Sequence, residues 1–265
     1  MVFFFYFIIF LFGICIGSFL NSVICRLETG GSFLSGRSHC PNCKHILEWR
    51  DLIPLFSFIA LRGKCRYCQK KISLQYPLVE LATGVLFVLI FGHWDLGFDW
   101  SLVIGVWDFF NLFYLLLISS FLLIIFVYDL KHYIIPDKII YPIIALALIY
   151  NLYQLTINNQ QLAINNFFAA FGAAAFFFSL VLISRGKWMG IGDVKLAFFM
   201  GLFLGFPDTI VALFLAVFSG ALIGLILILL GKKTLKSRVP FGPFLVGGTF
   251  LSFFWGHFFL DIITL

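Results

Sequence analysis

The chain is 265 residues long, 62% hydrophobic and 20% aromatic, and only 11% of its residues are charged. A soluble domain is near half apolar and about a quarter charged, so this sequence cannot cover a water-facing surface and must use lipid as its solvent. Its net charge of +6 would suit nucleic acid if gathered on one basic face; the spacing of the basic residues along the chain makes it a topology signal instead, and no nucleic-acid partner is expected.

Apolar stretches fall at 2–24, 77–93, 101–128, 139–157, 162–184, 194–206, 209–230 and 241–260. A helix needs about 20 residues to cross the hydrocarbon, within a range of about 17–25, and seven of the stretches come near it. The sixth is short unless it borrows Gly192 and Asp193 from the loop before it. The first lacks the basic leader of a signal sequence and reads as a retained helix. The expected fold is therefore an all-α polytopic membrane protein of about eight transmembrane helices. A loop of 25–76 between the first two helices is the only connection large enough to form a small domain. This divides the chain into a first helix (1–24), the loop (25–76) and a membrane-embedded remainder (77–265).

Charge supports the even count. With eight spans, the loops 25–76, 129–138, 185–193 and 231–240 share one side and hold 17 of the 18 Lys and Arg residues, while Lys195 lies at the membrane edge of that side. The opposite loops, near 94–100, 158–161 and 207–208, hold none. Positive charge marks the cytoplasmic face, which puts both termini outside the cytoplasm.

The long loop carries Cys40-Pro41-Asn42-Cys43 and Cys65-Arg66-Tyr67-Cys68, two C-x2-C pairs separated by 21 residues. Two such pairs supply four thiolates for a tetrahedral Zn²⁺ site. A disulfide reading suits a reducing cytosolic loop poorly. Four thiolates close the coordination sphere, so this zinc would be structural. Cys15 and Cys25 fit no pattern and read as small packing residues.

Three carboxylates fall at the same membrane edge. Asp137, after Pro136 and before an apolar run, reads as a helix start, where the dipole favours negative charge. Asp129 ends an apolar run of more than twenty residues, where a helix C-terminus disfavours it. Asp193 follows Gly190-Ile191-Gly192, which permits close backbone approach or unusual dihedrals. Two carboxylates brought together there would share a proton, so that one could activate water while the other protonates a scissile carbonyl. The residues leave three readings open: an aspartyl hydrolase, a proton relay or proton-coupled transporter, and structural capping.

Several segments are similar to those of one family. GSFLNSVICRLE (17–28), the cysteine loop CPNCKHILEWRDLIPLFSFIALRGKCRYCQKKISLQYPLVELATG (40–84), YDLKHYIIPD (128–137), GIGDVKL (190–196) and PFGPFLVGG (240–248) resemble, in family order, the type IV prepilin peptidases, the leader peptidase and N-methyltransferase enzymes of bacterial inner membranes. The resemblance implies a membrane aspartyl protease of the Gly-x-Gly-Asp type, with Asp129 and Asp193 as catalytic residues. It implies cleavage of a basic leader from prepilins or pseudopilins, after a Gly and on the cytoplasmic side. It also implies methylation of the new N-terminal residue with S-adenosylmethionine, for which no residue can be nominated. A basic leader would need acidic partners such as Glu28, Glu48, Asp51 or Glu80, while the basic loops suit anionic lipid head groups. The rivals are a proton-coupled transporter, which should show matched internal repeats, and a scaffold whose zinc loop docks a partner.

Overall fold

In the computed structural model the described residues are 2–29, 38–96, 106–156, 160–187, 189–234 and 239–264. Basic residues Arg37, Lys236 and Arg238, the start of the third apolar stretch at 101–105, and parts of two opposite loops (97–100 and 158–159) lie outside them. The described residues form nine α-helices: α1 (Val2–Thr29), α2 (Phe56–Ala60), α3 (Gln75–Leu96), α4 (Val106–His132), α5 (Asp137–Thr156), α6 (Gln160–Ser184), α7 (Ile191–Leu204), α8 (Asp208–Leu229) and α9 (Gly242–Thr264). Among them there is no strand, only two isolated β-bridges in the cysteine loop.

Among the described residues, seven helices are long and apolar enough to cross a membrane. The remaining apolar stretch, the sixth, is α7, which takes in Gly192 and Asp193 and still has only 14 residues. At 1.5 Å per residue it measures about 21 Å, less than the roughly 30 Å of a hydrocarbon core. The molecule divides into two compact units, Met1–Ile124 and Ile125–Leu265.

In the first unit α1 and α3 form an antiparallel hairpin. In lipid the hydrophobic effect does not pull helices together, so close backbone approach through small residues does much of that work. Gly13 and Gly17, one turn apart on α1, supply it: a Cβ at Gly13 would stand 2.8 Å from Gly84 Cα, and one at Gly17 would stand 2.7 Å from Glu80 Cα. At the loop end, Asn21 donates to the Tyr76 carbonyl at 3.0 Å. Cys15 lies on an exposed face of α1 and Cys25 is half-buried. For Cys15 the packing expectation is thus corrected: its side chain is exposed rather than buried among the described residues.

In the second unit α7 is the centre, packed against α5, α6, α8 and α9, with Leu196, Ala197, Phe199, Met200, Gly201 and Leu202 buried. Gly201 rides directly on the backbone of Ala170 in α6. A helix so enclosed does not need to span the bilayer alone, but its C-terminal carbonyls end at membrane depth and must find donors. Asparagine amides provide them. Asn151 of α5 donates to Leu202 O at 2.9 Å, and just past the helix end Asn165 of α6 donates to Phe206 O at 2.7 Å. Asn166 donates to the Asn151 side chain at 2.9 Å, which holds that amide in position.

Candidate active site and metal centre

Four helix ends of the second unit meet at one place: the C-terminus of α4 and the N-termini of α5, α7 and α9. Tyr133, at φ 58°, turns the chain out of α4 and donates its N–H to Asp129 O at 2.9 Å. The following segment returns against α7, where a Cβ on Gly192 would stand 3.1 Å from Ile135 Cβ. Gly192 thus serves close approach, whereas Gly190 has room for a side chain and ordinary dihedrals, φ −87° and ψ 159°.

Asp129 is 4% exposed. Its Oδ2 accepts the backbone N–H of Gly242, the first residue of α9, at 2.9 Å. That contact removes the objection to a carboxylate at the end of α4, because the positive end of α9 faces it. Asp193 is the third helical residue of α7 and its Oδ2 accepts the Gly190 N–H at 3.1 Å. This is half of a capping box, the other half being absent because Gly190 has no side chain. Asp129 thus stands at the end of α4 facing the start of α9, and Asp193 stands in the first turn of α7. In each, Oδ2 is engaged and Oδ1 has no protein partner among the described residues.

Asp137 begins α5 as expected and has a further contact: its Oδ1 lies 2.6 Å from Lys195 Nζ. The Lys195 ammonium also sits 4.6 Å from the centre of the Tyr141 ring. The pair ties the start of α7 to the start of α5 and so sets where Asp193 stands. Sequence reasoning missed both Gly242 and this ion pair. Gly-Pro opening an apolar run (242–243) was the available signal for the first; two groups 58 residues apart left none for the second.

In the cysteine loop, each C-x2-C pair folds into the same turn. The Cys40 N–H bonds to His45 O and the Lys44 N–H to Cys40 O, both at 2.9 Å; Cys65 with Lys70 and Gln69 with Cys65 repeat the pattern at 2.9 and 3.0 Å. Lys44 and Gln69 close the turns at φ 58° and 57°. The four Sγ atoms all lie within 4.8 Å of one another, and Cys40 and Cys68 are 3.9 Å apart. A tetrahedron with Zn–S of about 2.3 Å requires sulfurs about 3.8 Å apart, so the cluster fits that ion. The Cys68 thiol is lowered to about 6, first by the Asn42 amide 3.5 Å from its sulfur and then by the Lys70 N–H. At Cys43 the His45 N–H favours the thiolate, but desolvation and the neighbouring Cys40 and Cys68 sulfurs outweigh it and hold the group up to about 11. A cation among the four would cancel that repulsion.

Two of the proposed leader-binding acids are used inside the fold. Asp51 accepts from Arg66 Nε at 2.8 Å and from Tyr67 OH at 3.3 Å. Glu80 is 7% exposed and accepts the Leu55 N–H at 2.8 Å. Glu28 and Glu48 are exposed. Two clefts in the second unit, one between α6 and α8 and one beside Tyr133 and Lys233, contain no carboxylate. They do not provide the acidic partner an adenosyl ribose takes, and no residue is assigned to S-adenosylmethionine.

Seven helices long and apolar enough to span, with a four-cysteine cluster among the described residues, define a multi-pass membrane protein with a candidate zinc site. Comparison with known proteins gives the family. Residues 11–94 match the bacterial peptidase A24 N-terminal domain and residues 116–225 match the type IV leader peptidase family. The chain is 32% identical to a prepilin leader peptidase/N-methyltransferase of Bacillus subtilis, covering 94% of each chain. It is 30% identical to that of Stutzerimonas stutzeri over 92% of this chain and 88% of the relative, and 29% identical to that of Pseudomonas aeruginosa over 93% and 89%. This chain belongs to the type IV leader peptidase family. No solved structure matches it.

Proposed function

We propose that this inner-membrane protein cleaves the leader peptides of prepilins or pseudopilins with Asp129 and Asp193 as the catalytic pair. The observation that carries the reading is the arrangement of the two carboxylates. Each is anchored through Oδ2 to a helix N-terminus, and each keeps Oδ1 without a protein partner among the described residues. A pair of this kind holds one proton between two acids. The ionised member takes a proton from water as the water attacks the scissile carbonyl, and the protonated member donates to the carbonyl oxygen. No covalent intermediate forms. The helix ends steady the charge as the proton moves. Basic loops on the side of the aspartates favour a cytoplasmic site, where a leader would hang while its apolar helix stays in lipid.

N-methylation of the new terminus is proposed from the family alone. S-adenosylmethionine would supply the methyl group, and no step is derived through it. Cys40, Cys43, Cys65 and Cys68 would hold a structural zinc that closes the loop and leaves no open coordination position.

Asp129→Asn and Asp193→Asn test the peptidase reading. Each should lower prepilin cleavage in membranes by about 10²–10⁴-fold, the usual contribution of an acid–base group, with insertion and expression unchanged. Near-normal cleavage by either variant removes that residue from the mechanism. Mass spectrometry of the processed pilin reads the second activity, and a cleaved but unmethylated terminus rejects it.

A further inference from the structure

Between the two cysteine pairs the chain runs through Trp49, Leu52, Ile53, Phe56 and Ile59, and all five are exposed. Phe56 and Ile59, one turn apart on α2, are 65% and 72% exposed, and Trp49 is 69% exposed. A water-facing loop domain does not place its largest apolar side chains together on one segment without a partner to cover them.

The backbone shows where this segment lies. Leu55 sits at φ 58° and ψ −49°, and Phe56 N–H reaches Pro54 O at 2.6 Å. Together these make a γ-turn in the rare, strained hand. Such a conformation persists only where surrounding contacts hold it, and here the contact is identified. The turn points the Leu55 N–H at Glu80 Oε2, 2.8 Å away. Glu80 is on α3, a helix long and apolar enough to span, five residues past its start and so about 7.5 Å along it. It also packs against Gly17 of α1. The start of α2 is thereby drawn down to the depth at which the α1–α3 hairpin enters the bilayer.

We infer that residues 49–62 form an interfacial anchor, with Phe56 and Ile59 inserted among the acyl chains and head groups of the leaflet on the loop side. The surrounding chemistry suits lipid. The Arg50 guanidinium lies over the Trp49 ring at 5.3 Å, an amphipathic pair of the kind found at membrane interfaces. Arg62 and Lys64 are exposed at the far end of the segment, where anionic head groups would meet them. The loop that carries the metal cluster is then held to the membrane twice, by the Glu80 hydrogen bond and by this apolar surface.

The test uses the full chain reconstituted in vesicles of phosphatidylethanolamine and phosphatidylglycerol. The photoreactive residue p-benzoylphenylalanine is installed in turn at Phe56, at Ile59 and, as a control on the polar side of the loop, at Asn42. After irradiation, mass spectrometry should find phospholipid adducts at positions 56 and 59, at least about tenfold above position 42. Crosslinks to a second copy, to another part of the chain or to an added prepilin, in place of lipid adducts, overturn the inference. So does a lipid yield equal to that at position 42. Because the readout is lipid contact, neither result depends on the peptidase assignment.

Discussion

Gly242 lacks a side chain where Asp129 fills the space one would need: a Cβ there would stand 2.6 Å from Asp129 Oδ2. The same backbone donates the hydrogen bond that fixes the carboxylate. Gly242→Ala should therefore push the carboxylate aside while leaving α9 intact. A displacement of about 1 Å at a reacting group costs about 100-fold in rate, so prepilin cleavage should fall by about that factor at normal expression. A variant that cleaves at the normal rate would show that the Gly242 contact does not position Asp129. Asp193 is different, because its local partner Gly190 is three residues away and travels with it. Its position relative to Asp129 depends on the Lys195–Asp137 pair and on Gly192 against Ile135.

Among the elements, α7 and the cysteine loop show how short segments become rigid. Helix α7 is too short to cross lipid alone, but surrounding helices cover its apolar faces, the Asn151 amide takes its Leu202 carbonyl and the Asn165 amide takes the Phe206 carbonyl just beyond its end. Its first turn can then hold a carboxylate at the membrane edge. The loop has few buried apolar residues, and its tertiary contacts include Asp51 with Arg66 and Tyr67 and the Leu55 N–H with Glu80; a zinc among the four cysteines would add to them. Metal analysis of the purified protein should find about one zinc per chain, lost in the Cys40→Ser, Cys65→Ser double variant together with protease resistance of residues 38–74. Retention of full metal by that variant would rule out the four-sulfur site.

For the whole molecule, the decisive quantity is sidedness. If the basic loops are cytoplasmic, alkaline phosphatase fused after Tyr133, Lys187 or Lys233 should be inactive, and fused after Pro207 active. The opposite pattern would put both aspartates on the wrong face for a cytoplasmic leader. The two units parallel the two family matches: a hairpin with a cysteine loop, then a helical body with the carboxylates.

Membrane residence, the position of the eight long apolar helices to within about five residues and the cysteine cluster were legible from residues alone, whereas the short α2 inside the loop was not. Each rests on a local property: apolar length against bilayer thickness, or ligand spacing within one turn. The two aspartates stood out as candidates because charge is costly near lipid wherever it falls, but the residues left hydrolase, relay and cap open. Only the tertiary structure decided what holds them. The Gly242 amide, 113 residues from Asp129, and the Lys195–Asp137 pair depend on which helix ends meet, and that is decided by packing among apolar faces whose sequences are nearly alike. The same holds for Glu80: its sequence suggested a free acid for a basic leader, and the fold spends it on the Leu55 N–H.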